Sequence, residues 1–353
     1  MSKVLMKGNE AVGAAAIKAG CRCFFGYPIT PSSEIPEYMS KALPEVGGVF
    51  LQAESEVAAI NMVYGAGGAG ARVMTGSSSP GISLKQEGIT YAAGAEIPCV
   101  IVNMMRGGPG LGSIQPGQAD YYQSTRGGGN GDYRTLCYAP ASIQETVDYV
   151  MLAFDKADEY RNPVLICADG MIGQMMEAVE FKENLNKNLP AKDWATTGTK
   201  GKREKNIVNS LFLEAELCED HNIRLEKKYK LMEENEVLYE AFGLEDADVV
   251  CVAYGTTSRI VKTAIKLAAA KGIKVGIIRP ITLWPYPYAI YKDINPNCKG
   301  ILGVEMSQGQ IMDDIKIGIE GRMPVYFHGR TGGMVPTPAG ILAEIEKIAG
   351  GTK

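Results

Sequence analysis

Gly26-Tyr27-Pro28-Ile29-Thr30-Pro31-Ser32-Ser33-Glu34 follows directly on the apolar run Cys23-Phe24-Phe25. The run reads as the end of a buried strand, and Gly26 and Pro28 punctuate it. Thr30 then stands as an N-cap, with Pro31 at the first helical position, where a missing N–H costs nothing. A strand thus ends, turns sharply, and aims a helix N-terminus and one hydroxyl at a single point. In an open α/β sheet ligands bind at such points, outside the carboxyl ends of the strands. Free N–H groups at a helix start favour an anion such as a carboxylate. The plainer reading has Thr30 capping its own helix and nothing more.

The same rhythm continues on both sides of this stretch. An Ala-rich helix is expected over Glu10–Ala19, closed by Gly20, and another from Pro31 to Ala42. A short strand follows near Val49–Gln52, then a helix from Ser55 to Gly70, a strand over Arg72–Thr75 and a helix after Ser79-Pro80-Gly81. Cys99-Val100-Ile101-Val102-Asn103 and Pro163-Val164-Leu165-Ile166-Cys167 read as central parallel strands, buried on both faces. Alternating strands and helices imply a parallel, doubly covered sheet. The Gly-rich segment Arg106–Asp132 interrupts the rhythm, and connections that long are uncommon unless functional. From about Glu183 to Glu240 a Lys/Glu/Asn-rich connection and a charged helical stretch read as a linker plus an external helix. A second α/β unit begins near Asp248, with strands at Val249–Ala253, Val275–Ile278, Gly300–Glu305 and Pro324–Phe327.

Composition bounds the class. At 353 residues there is room for two domains, and 46% hydrophobic with 22% charged residues is ordinary for a globular chain. No aliphatic run is long enough to span a bilayer, and Met-Ser-Lys-Val-Leu-Met-Lys-Gly lacks a signal-peptide core, so a cytoplasmic location is expected. A net charge of −4 gives no electrostatic case for nucleic acid or an anionic membrane. The eight cysteines are scattered through apolar runs with no C-x-x-C pair. Cluster and zinc sites gather thiolates within short loops. These read instead as small buried apolar residues.

The opening nonapeptide, Lys7-Gly8-Asn9-Glu10-Ala11, Gln52-Ala53-Glu54-Ser55-Glu56-Val57-Ala58-Ala59, Arg106-Gly107-Gly108-Pro109-Gly110, Gly127–Tyr133 and Ile278–Pro285 resemble the alpha subunit of 2-oxoacid:ferredoxin oxidoreductases in order and spacing. These are thiamine-diphosphate enzymes that oxidatively decarboxylate 2-oxoacids to acyl-CoA. The resemblance covers nearly the whole chain. Ala-Glu-Ser-Glu and Gly-Pro-Gly-Leu-Gly-Ser-Ile-Gln-Pro look like the branched-chain 2-oxoisovalerate branch. The 2-oxoglutarate branch tends to carry Glu-Asp-Glu and a Gly-Pro-Ser-Thr-Gly run there.

The implied fold is α/β: a thiamine-diphosphate-binding, pyrimidine-type doubly wound parallel sheet over 1–185, a charged linker and helix over 186–244, and a transketolase C-terminal-like α/β domain over 245–353. The cofactor itself stabilises the carbanion. What it asks of the protein is a carboxylate against the aminopyrimidine ring, and the match to the family's Ser-Glu-x-x-Ala puts Glu56 there. Pro28 joins Glu56 in binding the cofactor. Thr30, Arg106 and Ile29 are the implied substrate contacts, with Thr30 and Arg106 donating to the 2-oxoacid carboxylate. Otherwise Glu56 only favours the positive end of its helix, beside Glu54, and Arg106 is a surface arginine paired with an acid.

Ile29, Met104, Met105 and Leu111 are expected to line an apolar pocket beside this site. Arg126, a loop arginine next to three glycines, is expected to be solvated or at a subunit contact. The metal–diphosphate motif of thiamine enzymes, Gly-Asp-Gly with Asn about thirty residues on, is absent. Ala168-Asp169-Gly170 comes near it, but Asn184, Asn186 and Asn188 follow too early. The resemblance therefore implies a split site. A beta subunit would bring the diphosphate motif and Mg²⁺, while gamma and ferredoxin-like delta subunits carry [4Fe-4S] clusters to ferredoxin, with CoA as acyl acceptor. Alone, the chain is expected to be inactive and to hold thiamine diphosphate weakly.

Alternatives are a 2-oxoglutarate- or pyruvate-specific member, a transketolase-like subunit, or a non-catalytic assembly module. A sugar-phosphate site wants several histidines, and this chain has two.

Overall fold

The computed structural model describes residues 3–182 and 189–350. The expected boundary at 185/186, and Asn184, Asn186 and Asn188, lie outside the described residues. Strand β1 (Val4–Lys7) leads into α1 (Gly8–Lys18). Then β2 (Cys23–Gly26), α2 (Glu34–Glu45), β3 (Val49–Gln52), α3 (Glu56–Gly68), β4 (Val73–Ser77), α4 (Ser79–Gly94) and β5 (Cys99–Met105) alternate. A long loop brings in α5 (Tyr121–Thr125), β6 (Leu136–Tyr138), α6 (Ile143–Tyr160), β7 (Pro163–Asp169), α7 (Gly170–Gln174) and β8 (Met176–Val179). Helix α8 (Ala215–Asn235) precedes β9 (Tyr239–Phe242), β10 (Val249–Val252), α9 (Gly255–Ala269), β11 (Val275–Pro280) and β12 (Thr282–Trp284). The chain closes with β13 (Ile301–Glu305), α10 (Met312–Ile319), β14 (Val325–Gly329) and α11 (Pro338–Gly350).

Seven strands form the first sheet in the order β3-β2-β4-β5-β7-β6-β12. Its pairs are parallel except β12 on β6. The chain runs outward from β2 to β3 and then returns to the other side of β2 as β4, so the strand order reverses between β2 and β4. Crevices open at such switch points. β5 is buried along its whole length. Val100, Val102 and Met104 join a core shared with α1, α2 and α6, while Cys99, Ile101 and Met105 face the core of α3 and α4. Each fully buried Ile or Val there contributes roughly 1.5–3 kcal/mol over exposure.

The second sheet has the order β9-β11-β10-β13-β14, with β9 antiparallel at its edge. Leu225, Tyr229 and Met232 of α8 are buried in the core that also takes in Tyr254 and Ile278. That helix is a packed wall on one side. No helix among the described residues is long and apolar enough to cross a membrane.

One expected element begins elsewhere. Helix α2 starts at Glu34, with Ser33 at its N-cap making no side-chain bond, so Thr30 is no cap and Pro31 no first helical residue. The Ser32 N–H and hydroxyl both turn back on the Ile29 carbonyl, at 2.9 and 2.8 Å. That closes a tight turn before the helix can start.

Candidate active site

The turn after β2 is fixed from below by Lys7-Gly8-Asn9-Glu10. Asn9 is fully buried, and its amide donates to the Pro31 carbonyl and to Glu34 Oε2, both at 2.7 Å. The Gln174 amide donates to the same two atoms at 3.1 and 3.0 Å, and Lys7 Nζ stands 3.4 Å from Glu34 Oε1. Burial opposes ionisation of Glu34, but its own backbone N–H and the Asn9 and Gln174 amides outweigh it and hold the carboxyl below its ordinary value. Pro28 and Thr30 are left exposed and Ile29 half-buried. Thr30 lines a cavity of about 510 Å³ with Glu34, Gln115, Met171 and Gly333.

Arg106 follows β5 and is buried. Its Nη1 donates to the Thr30 carbonyl and its Nη2 to the Leu111 carbonyl, each at 2.8 Å. Its Nε–H has no partner among the described residues. The guanidinium therefore ties the β2 and β5 turns together with donors to spare, and it forms no surface ion pair. The loop beyond it folds back on itself. Gly112 has φ +58°, and a Cβ there would stand 1.9 Å from the Gly107 carbonyl oxygen, so only glycine fits.

Asp120 anchors the loop's far end. It accepts from Ser79 Oγ at 2.5 Å and from Asn103 Nδ2 at 2.9 Å, and Ser79 Oγ accepts the Arg106 N–H at 3.0 Å. Burial raises the Asp120 pKa despite these donors. Ser79 and Asp120 also line a cavity of about 750 Å³ with Gly108, Gly110, Ser307 and Gln310.

Glu56 opens α3, behind the Ser55 N-cap that accepts from the Ala58 N–H at 3.2 Å. It is buried and presses on α4 where Gly81 has no side chain. A Cβ on Gly81 would lie 2.7 Å from Glu56 Oε1 and 2.1 Å from Ser77 Oγ. Thr75, Ser77 and Ser78, at the end of β4, are buried with hydroxyls that have no partner among the described residues. Glu56 thus packs tightly against Gly81, next to a group of buried hydroxyls whose hydrogen-bonding capacity the described residues leave unused. Ser77, Ser78, Lys85, Asn103 and Asp120 were not singled out from the sequence.

Thr30, Glu56 and Arg106 follow the carboxyl ends of β2, β3 and β5 of one sheet, and Thr30 and Arg106 are in contact through the Thr30 carbonyl. Four companions go elsewhere. Met104 and Met105 are sealed in the two cores of the sheet, because a strand covered on both faces buries alternate residues to opposite sides. Leu111 is exposed and meets Arg106 through its carbonyl. Arg126 pairs with the fully buried Asp314 at 2.9 Å, since an uncompensated buried carboxylate demands a cation. Asp169 caps α7 through the Met171 and Ile172 N–H groups and accepts the Thr256 N–H from α9 at 3.3 Å. It is a joint between the two sheets.

Residues 14–237 match the family model described as pyruvate flavodoxin/ferredoxin oxidoreductase, thiamine diP-binding, and residues 247–341 match pyruvate:ferredoxin oxidoreductase core domain II. The chain is 51% identical to ketoisovalerate oxidoreductase subunit VorB of Methanothermobacter marburgensis, over 99% of each chain. It is 35% identical to 2-oxoglutarate synthase subunit KorA of Methanocaldococcus jannaschii, over 96% of this chain and 98% of that one. Among solved structures it resembles 2-oxoglutarate:ferredoxin oxidoreductase from Magnetococcus marinus, with 2-oxoglutarate, coenzyme A and succinyl-CoA bound. The TM-score is 0.86 at 26% identity, over 99% of this chain and 65% of that chain's length. A split-gene transketolase shares the fold alone, at TM-score 0.57 and 13% identity. With a buried glutamate at a helix start and a tethered Thr–Arg pair at the sheet's switch point, the chain belongs to the 2-oxoacid:ferredoxin oxidoreductases, as a subunit carrying their thiamine-diphosphate-binding domain.

Proposed function

We propose that this chain supplies the aminopyrimidine half of a thiamine-diphosphate site and the carboxylate clamp for a branched-chain 2-oxoacid. The observation that carries the reading is Glu56, a buried carboxylate at the start of α3, packed on Gly81 next to buried hydroxyls with no partner among the described residues. When bound, thiamine diphosphate supplies the electron sink for decarboxylation. Glu56 would hydrogen-bond the pyrimidine ring and shuttle its proton at Oε1 or Oε2, with Pro28 against the ring. Arg106 and the Thr30 hydroxyl would hold the substrate carboxylate, and Ile29 its side chain.

On this reading residues 1–185 bind cofactor, 186–244 connect, and 245–353 brace the site. A beta subunit brings Mg²⁺ and the diphosphate contacts. Gamma and delta subunits with [4Fe-4S] clusters pass electrons to ferredoxin in the cytoplasm, and CoA takes the acyl group.

The branched-chain assignment draws support from the 51% and 49% identity to ketoisovalerate oxidoreductase subunits, against 34–37% for the 2-oxoglutarate synthase subunits. With Arg126 committed to Asp314, that residue is no ready partner for a second substrate carboxylate. The test is kcat/KM of the assembled complex for 2-oxoisovalerate and 2-oxoglutarate, with ferredoxin or a viologen as acceptor. A preference for 2-oxoisovalerate is expected. A preference for the dicarboxylate would overturn the substrate and leave the reaction standing, and no thiamine-dependent turnover of any 2-oxoacid would overturn both.

A further inference from the structure

Helices α3 and α4 touch along a seam built on glycines. A Cβ on Gly81 would collide with Glu56, and one on Gly88 would lie 2.5 Å from Ile60 Cγ2. Glu56 and Ile60 are one turn apart on α3, while Gly81, Lys85 and Gly88 share one face of α4. Lys85 therefore enters the seam between these two contacts. Its side chain is wholly buried, and its Nζ has no hydrogen-bond partner among the described residues.

The charged groups around this seam are few. Helix α3 carries Glu56 and the Tyr64 phenol, and α4 carries Lys85 together with the solvent-facing Glu87 and Tyr91. β2 and β5 add the Cys23 and Cys99 thiols, β7 adds Cys167 and Asp169, and β3 and β4 add no ionisable side chain. Burial holds the Lys85 ammonium down to about 8, and the field of Glu56 pulls the other way. A buried cation is tolerated when an opposite charge lies close enough to offset its desolvation. Gly81 and Gly88 let the two helices close over it. The seam thus encloses a cation whose charged neighbour is the Glu56 carboxylate.

We propose that Lys85 is a positioning residue for Glu56: its ammonium stabilises the Glu56 carboxylate across the α3–α4 seam and lowers that carboxylate's affinity for a proton. The role rests on the reading of Glu56 given above. Lys85 touches neither cofactor nor substrate. It acts by setting the pH at which Glu56 gains its proton, a property that pure packing would leave alone.

The test is carboxyl ¹³C NMR on the full chain labelled at glutamate Cδ, with the Glu56 resonance identified by its loss in Glu56→Gln. In Lys85→Met, and in the polar control Lys85→Gln, the Glu56 midpoint is expected to rise by about one pH unit or more. An unmoved midpoint in both variants would overturn the proposal.

In the assembled complex, the acidic limb of the Lys85→Met pH–rate profile should move upward with kcat, leaving KM nearly unchanged. If Glu56→Gln kept its turnover, the proposed function would fall while a shifted midpoint still supported Lys85 acting on Glu56. If Glu56→Gln were inactive and the midpoint unmoved, Lys85 alone would lose its role.

Discussion

Arg106 directs two donors at the Thr30 and Leu111 carbonyls and keeps others free, so it is both a brace and a binding group. Thr30→Val deletes only a hydroxyl, while Arg106→Leu also unties the turns after β2 and β5. A hydrogen bond to a charged group is worth about 1.5–3 kcal/mol, or roughly ten- to a hundredfold in kcat/KM. Thr30→Val is expected to lose about that much for 2-oxoacids, and Arg106→Leu more. Steady-state kinetics of both assembled variants check it, and unchanged constants would place the carboxylate elsewhere. Thr30, Glu56 and Arg106 were legible because each follows a strand signal and sits in a family motif. Lys85 and Asp120 were not. One lies inside an ordinary helical stretch, and the other takes its partners from 17 and 41 residues away.

Among elements, the start of α2 is the instructive departure. Thr30-Pro31 has the form of a helix start, but a turn closed on the Ile29 carbonyl and a distant amide, Asn9, hold the chain out of helix until Glu34. Local propensity yields to tertiary hydrogen bonds that no window around residue 30 contains. Asn9→Ala strips one donor from both Pro31 and Glu34, a loss of about 1–3 kcal/mol of stability at a buried site. It should lower the melting temperature and raise KM for 2-oxoacids, since Thr30 loses its support. A normal melting temperature with normal KM would show the turn is held by other contacts. The strands and helices of the first sheet before β6 were largely readable, since their periodicity is local. β6, β9 and β12 are short segments made strands by partners elsewhere in the chain.

Across the whole molecule, buried polar groups seal the two sheets together. Gln118 is fully buried, donates to the Tyr254 carbonyl at 3.0 Å and accepts the Met306 N–H at 2.9 Å. Beside it, Glu305 accepts from Tyr254 at 3.0 Å and from the Ile311 N–H at 3.2 Å. Burial, against the Ser307, Ile311 and Tyr254 donors, raises its pKa from 4.5 to about 7. The folded chain therefore binds more protons than the unfolded chain between those values. Stability from this group is full below about 4.5 and is lost as pH rises through 7. The loss is on the order of 3 kcal/mol. Glu305→Gln should flatten the fall in melting temperature between pH 5 and pH 8 relative to wild type. Parallel curves would show that Glu305 does not titrate in this range. None of this junction was visible in the sequence, where Gln118 and Glu305 stand far apart in unrelated motifs.

The most direct measurement is the turnover of the assembled complex carrying Glu56→Gln, with folding and assembly verified beside it. An amide cannot exchange a proton with the pyrimidine ring, and general acid–base steps contribute roughly 10²- to 10⁴-fold. A loss of that size, with the complex intact, is the expected result. A near-normal rate would mean that Glu56 only favours the start of α3, and that the thiamine site is built on other residues.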